Sequence, residues 1–330
     1  MTKLRAFILA EVLFVLTILG VVFFYMTQDQ EAEPALSQYR PIYIDGPAML
    51  NFTETLSSDA LEGRKTGTSG NAAAQGFILK RFENLGLRRI GESYDHEFAI
   101  IQAEAGEDVA DSGTNFIGWI AGETPGEGPM LVVTAHYDHL GIQDGEIYNG
   151  ADDNASGVAA LIGVADYFRR NPPTHDIVFA ALDAEEQGML GARAMVRSDV
   201  IDLQRVALNI NFDMVSRSEA GELYIAGTTP YPQLKPLVEK LSADAPVSLL
   251  MGHDSPELGY DDWTSQSDHV AFHEVGIPFL YFGVEDHEGY HDPSDDYLNL
   301  THDFFVRSGD TLAMAVDAAD DWLTMSSRAE

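Results

Sequence analysis

From about residue 46 onward the chain alternates short apolar runs with stretches of helical period, the pattern of an α/β domain. In NAAAQGFILKRFENLGL (71–87), Ala74, Phe77, Ile78, Phe82 and Leu85 share one helical face, and Gly86 supplies a stop. VAALIGVADYFRR (158–170) predicts a second helix, ended by Asn171-Pro172-Pro173, and a closing helix is predicted from about Asp303 to Met325. The strand candidates are NFIGWIAG (115–122), MLVVTAH (130–136), DIVFAALD (176–183), VALNINFDMV (206–215), LYIAG (223–227) and IPFLYFGV (277–284). Several are continuously apolar rather than alternating. Such strands are buried on both faces, which predicts a mostly parallel, mixed sheet between two helical layers, a three-layer α/β/α sandwich.

The N-terminus differs in kind. Residues 6–26, AFILAEVLFVLTILGVVFFYM, are nearly uninterrupted apolar residues with one charge, Glu11, and Lys3 and Arg5 precede them. That length spans a bilayer, and the positive flank places the N-terminus in the cytoplasm. We therefore expect a transmembrane signal anchor over 1–27, a polar tether over 28–45 and the α/β domain over 46–330 on the extracytoplasmic side. Secretion after cleavage of a signal peptide is the alternative, although no A-x-A-like site follows Met26. A buried soluble helix is a third reading, and such helices are rarely apolar all round.

Composition narrows the chemistry. The chain holds no cysteine, so any metal must be bound by histidine and carboxylate. Asp and Glu number 53 against 19 Lys and Arg, a formal net charge of −34, which excludes a nucleic-acid partner because phosphate binding needs clustered cations.

Metal-type ligands fall at the ends of the predicted strands. His136 and Asp138 end MLVVTAH; Asp183, Glu185 and Glu186 end DIVFAAL; Asp213 ends VALNINF; His291 follows IPFLYFGV. In open α/β sheets, functional residues gather beyond the carboxyl ends of the strands. A fifth cluster, GADDNASG (150–157), puts two aspartates before the helix at 158. One acidic residue would suffice as a helix cap; two invite a second role. His136, Asp153, Glu186, Asp213 and His291 are enough to hold two zinc ions around a shared carboxylate and leave positions open. Asp138, two residues from His136, is placed to fix its tautomer, and the Glu185-Glu186 pair can divide metal binding from proton transfer.

AHYDHLG (135–141), YNGADDNASGVAAL (148–161), DAEEQGMLGA (183–192), NFDMV (211–215) and GYHDPSDDY (289–297) resemble, in order, the motifs of the M28 family of co-catalytic zinc aminopeptidases. LEGRKTGTSGNAAAQGFILKRFENLGL (61–87) resembles the segment that opens their catalytic domain, and the likeness covers roughly residues 46–325. The resemblance implies two zincs per chain. His136 and Asp213 would hold one, Glu186 and His291 the other, with Asp153 bridging and Glu185 as general base. Asp152 and Asn154 then shape the turn and cap the helix. Tyr290 occupies the place of a tyrosine that in some members hydrogen-bonds the oxyanion; a plain pocket-wall aromatic is the other reading. Asp268, in Ser267-Asp268-His269, resembles a segment near the substrate pocket and is expected behind the ligands. His139 is expected to be structural, with a fourth nitrogen donor beside the site as the other reading, and His96, His175, His253, His273, His287 and His302 to lie at the surface or pocket rim. The accessory domain of larger members has no room here, since only about residues 92–127 are available for it.

The implied function is a membrane-tethered zinc exopeptidase acting on peptide substrates, most simply an aminopeptidase. A carboxypeptidase or dipeptidase of the same family would need cations for a terminal carboxylate, and Arg193 and Arg217 are the basic residues near the motifs. A glutaminyl cyclase-like transferase is the remaining alternative.

Overall fold

The computed structural model describes residues 39–100 and 110–327, all within a unit that begins at Tyr39. The expected anchor over 6–26 lies outside the described residues. Among those described, no helix is long and apolar enough to cross a membrane. Residues 39–44, the end of the expected tether, are tied to the domain: Asp310 accepts from the Tyr39 hydroxyl and the backbone N–H groups of Ile42, Tyr43 and Ile44.

Helix α1 (Gly46–Leu56) is capped by Asp45, whose carboxylate accepts from Ala48 N. Helix α2 (Ser69–Leu85) starts at a Thr68 cap and stops at Gly86 in the left-handed conformation, as its sequence predicts. Three strands follow, β1 (Arg88–Arg89), β2 (Asp95–Ala99) and β3 (Ser112–Ile120), then β4 (Met130–His136) and a small hairpin of β5 (Gly141–Gln143) and β6 (Glu146–Tyr148). Next come α3 (Gly157–Arg170), β7 (Asp176–Leu182), α4 (Leu190–Arg197), β8 (Val206–Phe212) and β9 (Glu222–Ala226). The chain closes with α5 (Lys235–Asp244), β10 (Ser248–Met251), α6 (His269–His273), β11 (Phe279–Gly283) and α7 (His302–Ser327).

The main sheet has the order β1-β3-β7-β4-β8-β11-β9-β10, with β2 also on β3. Alternate residues of β4 point to two different cores. Leu131, Val133 and Ala135 join the larger one with α1, α2, α3 and α7; Met130 and Val132 join the smaller one with Ala192 and Met195 of α4 and Ala271 and Phe272 of α6. The two cores define the three layers.

The sheet is more evenly mixed than its apolar runs suggest. The central strands β7, β4, β8 and β11 are mutually parallel, but β3 runs antiparallel to β7 and β9 antiparallel to β11. Apolar runs report burial on both faces and carry no information about direction. The parallel centre is what matters for chemistry, because it delivers the carboxyl ends of four strands to one edge.

Candidate active site

β4 ends in His136, buried beneath the loops that follow its neighbours. Its Nε2 lies 3.2 Å from Asp213 Oδ1, just past β8, and 3.4 Å from Asp153 Oδ1. The other oxygen of Asp153 lies 3.2 Å from His291 Nε2, and that nitrogen is 3.4 Å from Glu186 Oε2. All five sequence-predicted ligands therefore converge around Asp153. Two ligands of one zinc, each bound at about 2.0–2.1 Å with tetrahedral angles, stand roughly 3.3 Å apart. The donors are imidazole and carboxylate, the set zinc takes when thiolate is absent, so these residues fit the ion.

Asp153 is placed by the loop before α3. Gly150 adopts a left-handed conformation (φ 55°), and a Cβ there would fall 2.1 Å from Asp153 O and 2.5 Å from the His139 ring, so only glycine fits. The Asp295 carboxylate accepts from the N–H groups of Asp152 and Asp153, tying this loop to the segment carrying His291. Asn154 accepts from Gly157 N and donates to Phe212 O, so the expected cap of α3 is present.

Asp152 departs from expectation. It makes no cap. It is fully buried and accepts from Ser216 N (2.7 Å), Ser216 Oγ (2.6 Å) and His287 Nε2 (3.0 Å), joining the Asp153 loop to the chain after β8. Asp138 also differs. The acceptor nearest His136 Nδ1 is the backbone carbonyl of Asp138 at 3.2 Å, with its carboxylate 3.7 Å away. That carboxylate accepts instead from Glu185 N at 3.0 Å, positioning the paired glutamates.

His139, expected to be structural, stands with Asp153 and Glu186 in one of two metal-type clusters among the described residues. Its Nδ1 lies 2.7 Å from Glu186 Oε1, shorter than the spacing of two ligands on one ion, so it donates a hydrogen bond that orients Glu186. Arg64 was legible only as part of a motif. It is wholly buried and donates to the carbonyls of Tyr137, Leu56, Asn149 and Gly150, bracing the loops of His136 and Asp153 from behind. Burial lowers its pKa to about 10, against the pull of Asp153 and Asp295, so it stays charged at neutral pH.

The electrostatics follow from crowding carboxylates out of water. Burial, opposed by His136 and reinforced by Glu186 and Asp268, holds the Glu185 carboxyl well above the usual carboxylate range. Asp268, buried with no hydrogen-bond partner on either carboxyl oxygen among the described residues, is pushed up to about 8 by burial and by Asp213 and Asp138, with His136 opposing. Burial works against protonation of His291, yet hydrogen bonds to Asp153 and Glu186 raise it to about 10. Asp213 accepts from Ser267 Oγ at 2.6 Å.

Above these groups opens a cavity of about 290 Å³, walled by Met189, Met214, Trp263, Tyr281, Val284 and Tyr290. Tyr290 is half-buried with its ring stacked on His291 at 4.0 Å. Burial first, then Asp153, Asp213, Glu186 and Asp286, raise its hydroxyl above its ordinary range, so it remains a proton donor. Of the histidines expected at the surface or rim, His253 stacks on Trp263 at 3.7 Å and His287 holds Asp152.

A buried histidine–carboxylate centre at the carboxyl edge of a mixed α/β sheet, beneath a half-apolar cavity, defines a metal-dependent hydrolase type of site. The sequence profile of Peptidase family M28 matches residues 115–316, and the chain belongs to that family. Among its relatives, aminopeptidase YwaD of Bacillus subtilis is 32% identical over 201 residues, covering 57% of this chain and 40% of that protein. The alkaline phosphatase isozyme conversion protein of Escherichia coli is 23% identical over 227 residues, covering 64% of each. The chain thus spans less than two thirds of the length of these relatives. Two solved structures share the fold: a zinc aminopeptidase from Bacillus subtilis (TM-score 0.64, 19% identity, 85% of this chain and 96% of that one) and Porphyromonas gingivalis glutaminyl cyclase (TM-score 0.65, 18% identity, 83% and 98%).

Proposed function

We propose that the protein is a two-zinc exopeptidase that removes residues from free peptide N-termini. The observation that carries this reading is the charge of the cavity lining: carboxylates and histidines, with neither lysine nor arginine. A substrate's α-ammonium entering there meets carboxylates. A terminal carboxylate would meet no lysine or arginine there, because Arg193 is engaged by Glu274 in a two-pronged pair and Arg217 faces Glu288 at 3.7 Å, both outside the lining. This disfavours the carboxypeptidase reading.

His136 and Asp213 would hold one zinc, Glu186 and His291 the other, and Asp153 would be shared. Bound zinc supplies Lewis-acid polarisation of the scissile carbonyl and lowers the pKa of water. Glu185, half-buried beside this centre without joining the ligand set, accepts the proton of the attacking water and delivers it to the leaving amine. The Tyr290 hydroxyl donates to the carbonyl oxygen as negative charge develops on it. Met214, Trp263 and Tyr281 restrict water around the reacting bond. We further propose that residues 6–26 anchor the enzyme in a membrane with the catalytic domain on the extracytoplasmic face.

Hydrolysis assays on aminoacyl-p-nitroanilides, N-acetylated counterparts and N-terminal glutaminyl peptides test the reading. Expected are cleavage of the free-amine substrates only, loss on chelation and recovery with zinc. Turnover of blocked substrates, or cyclisation of glutamine without hydrolysis, would overturn it.

A further inference from the structure

Five carboxylates line the cavity, and four of them (Asp153, Glu185, Glu186 and Asp213) belong to the candidate zinc centre. The fifth, Asp286, has no hydrogen-bond or ion-pair partner among the described residues. Its direction follows from the chain after β11. Val284 and Asp286 both line the cavity, whereas Glu285 between them turns away to His253, 3.1 Å from its Nε2. His253 in turn lies flat on Trp263, with ring centroids 3.7 Å apart, and Tyr281 meets the other ring edge-on. The wall beside Asp286 is therefore a braced apolar surface, and the carboxylate stands at its exposed end.

A rigid apolar wall ending in an unpaired carboxylate fits a long side chain with an apolar stem and a cationic tip. We propose that Asp286 is a specificity-determining residue that selects substrates with lysine or arginine at the N-terminus, the stem lying along Trp263, Tyr281 and Val284. The inference rests on the aminopeptidase reading, and it names the substrate class for that site. Asp286 is separate from the proton-transfer step, so its contribution belongs to substrate recognition.

Lysine and norleucine isolate the claim, since they share a four-carbon stem and differ in the terminal ammonium. The zinc-loaded wild-type protein is expected to favour lysyl- over norleucyl-p-nitroanilide about tenfold in kcat/KM, the order of one partly exposed charge-assisted contact. That ratio should fall towards one in Asp286→Asn, persist in Asp286→Glu, and shrink as sodium chloride rises from about 0.05 to 0.5 M, where screening shortens. A wild-type ratio near or below one, or an Asp286→Asn ratio within threefold of wild type, would overturn the proposal. If the wild-type protein cleaves neither substrate, the aminopeptidase reading fails instead. Calorimetric binding of free lysine against norleucine to the wild type and Asp286→Asn then decides the role of Asp286: preferential lysine binding lost in the variant supports it, and equal binding overturns it.

Discussion

At the scale of single residues, the adjacent glutamates expose the mechanism most directly. Glu186 receives the His139 hydrogen bond and faces His291, whereas Glu185 reaches the site through a backbone N–H held by Asp138. Glu185→Gln should keep its metal content and near-normal KM while kcat falls roughly 10²–10⁴-fold, the usual worth of acid–base catalysis. Glu186→Ala should reduce metal content. Metal analysis beside steady-state kinetics distinguishes them, and loss of zinc in Glu185→Gln would reverse the assignment. Asp152 makes the second case. As a helix cap it would tolerate amidation easily, but it is buried and accepts from Ser216 and His287. Asp152→Asn puts an N–H₂ group among donors and should cost about 1–3 kcal/mol, measured by denaturant unfolding. The proximity of both aspartates to the site was legible in GADDNASG; their partners were not, since Ser216 and His287 lie 64 and 135 residues away.

At the scale of elements, the long apolar strands and the capped helices were legible because burial and caps are local signals. β4, β7, β8 and β11 appear within two or three residues of their predicted bounds. β2 alternates only between exposed and half-buried positions and β10 is four residues long, so neither carries an apolar run and both escaped notice. Strand direction was also hidden, as β3 shows. The far end of the sheet holds a testable device of its own. Asp176, at the start of β7, is 3% exposed and accepts from Arg205 and from the N–H groups of Gly122 and Gly126. Burial alone would raise its carboxyl, but these partners together bring it below its ordinary value of 3.8. The shift is downward, so the stabilisation is complete above the unfolded value and is lost as pH falls through the lower folded one. Asp176→Asn should therefore cost about 1–3 kcal/mol at pH 7. The gap to wild type should narrow below about pH 4, and a gap independent of pH would show that charge is not its source.

At the scale of the whole molecule, the ordered motifs told more than any one of them, because four strand ends and one helix start had to meet for the chemistry to work. Their meeting around Asp153 is the part of the structure most fully written in the chain. The proposed anchor is tested by fractionation: the full chain should resist a high-salt wash of membranes, while a chain starting near Glu31 should be soluble and active. A mature form lacking residues 1–26 would identify a cleaved signal instead. The carboxylate of Asp310, which gathers Tyr39, Ile42, Tyr43 and Ile44 onto α7, gives that experiment its physical basis. Backbone groups that would otherwise need a partner are satisfied from within the domain, so a protease cutting before Tyr39 leaves these bonds in place. Shedding should leave a catalytic body with unchanged unfolding temperature, whereas a cut after Ile44 removes the groups gathered by Asp310 and should lower it by several degrees. Six residues thus separate a cut that these bonds are expected to survive from one that removes them.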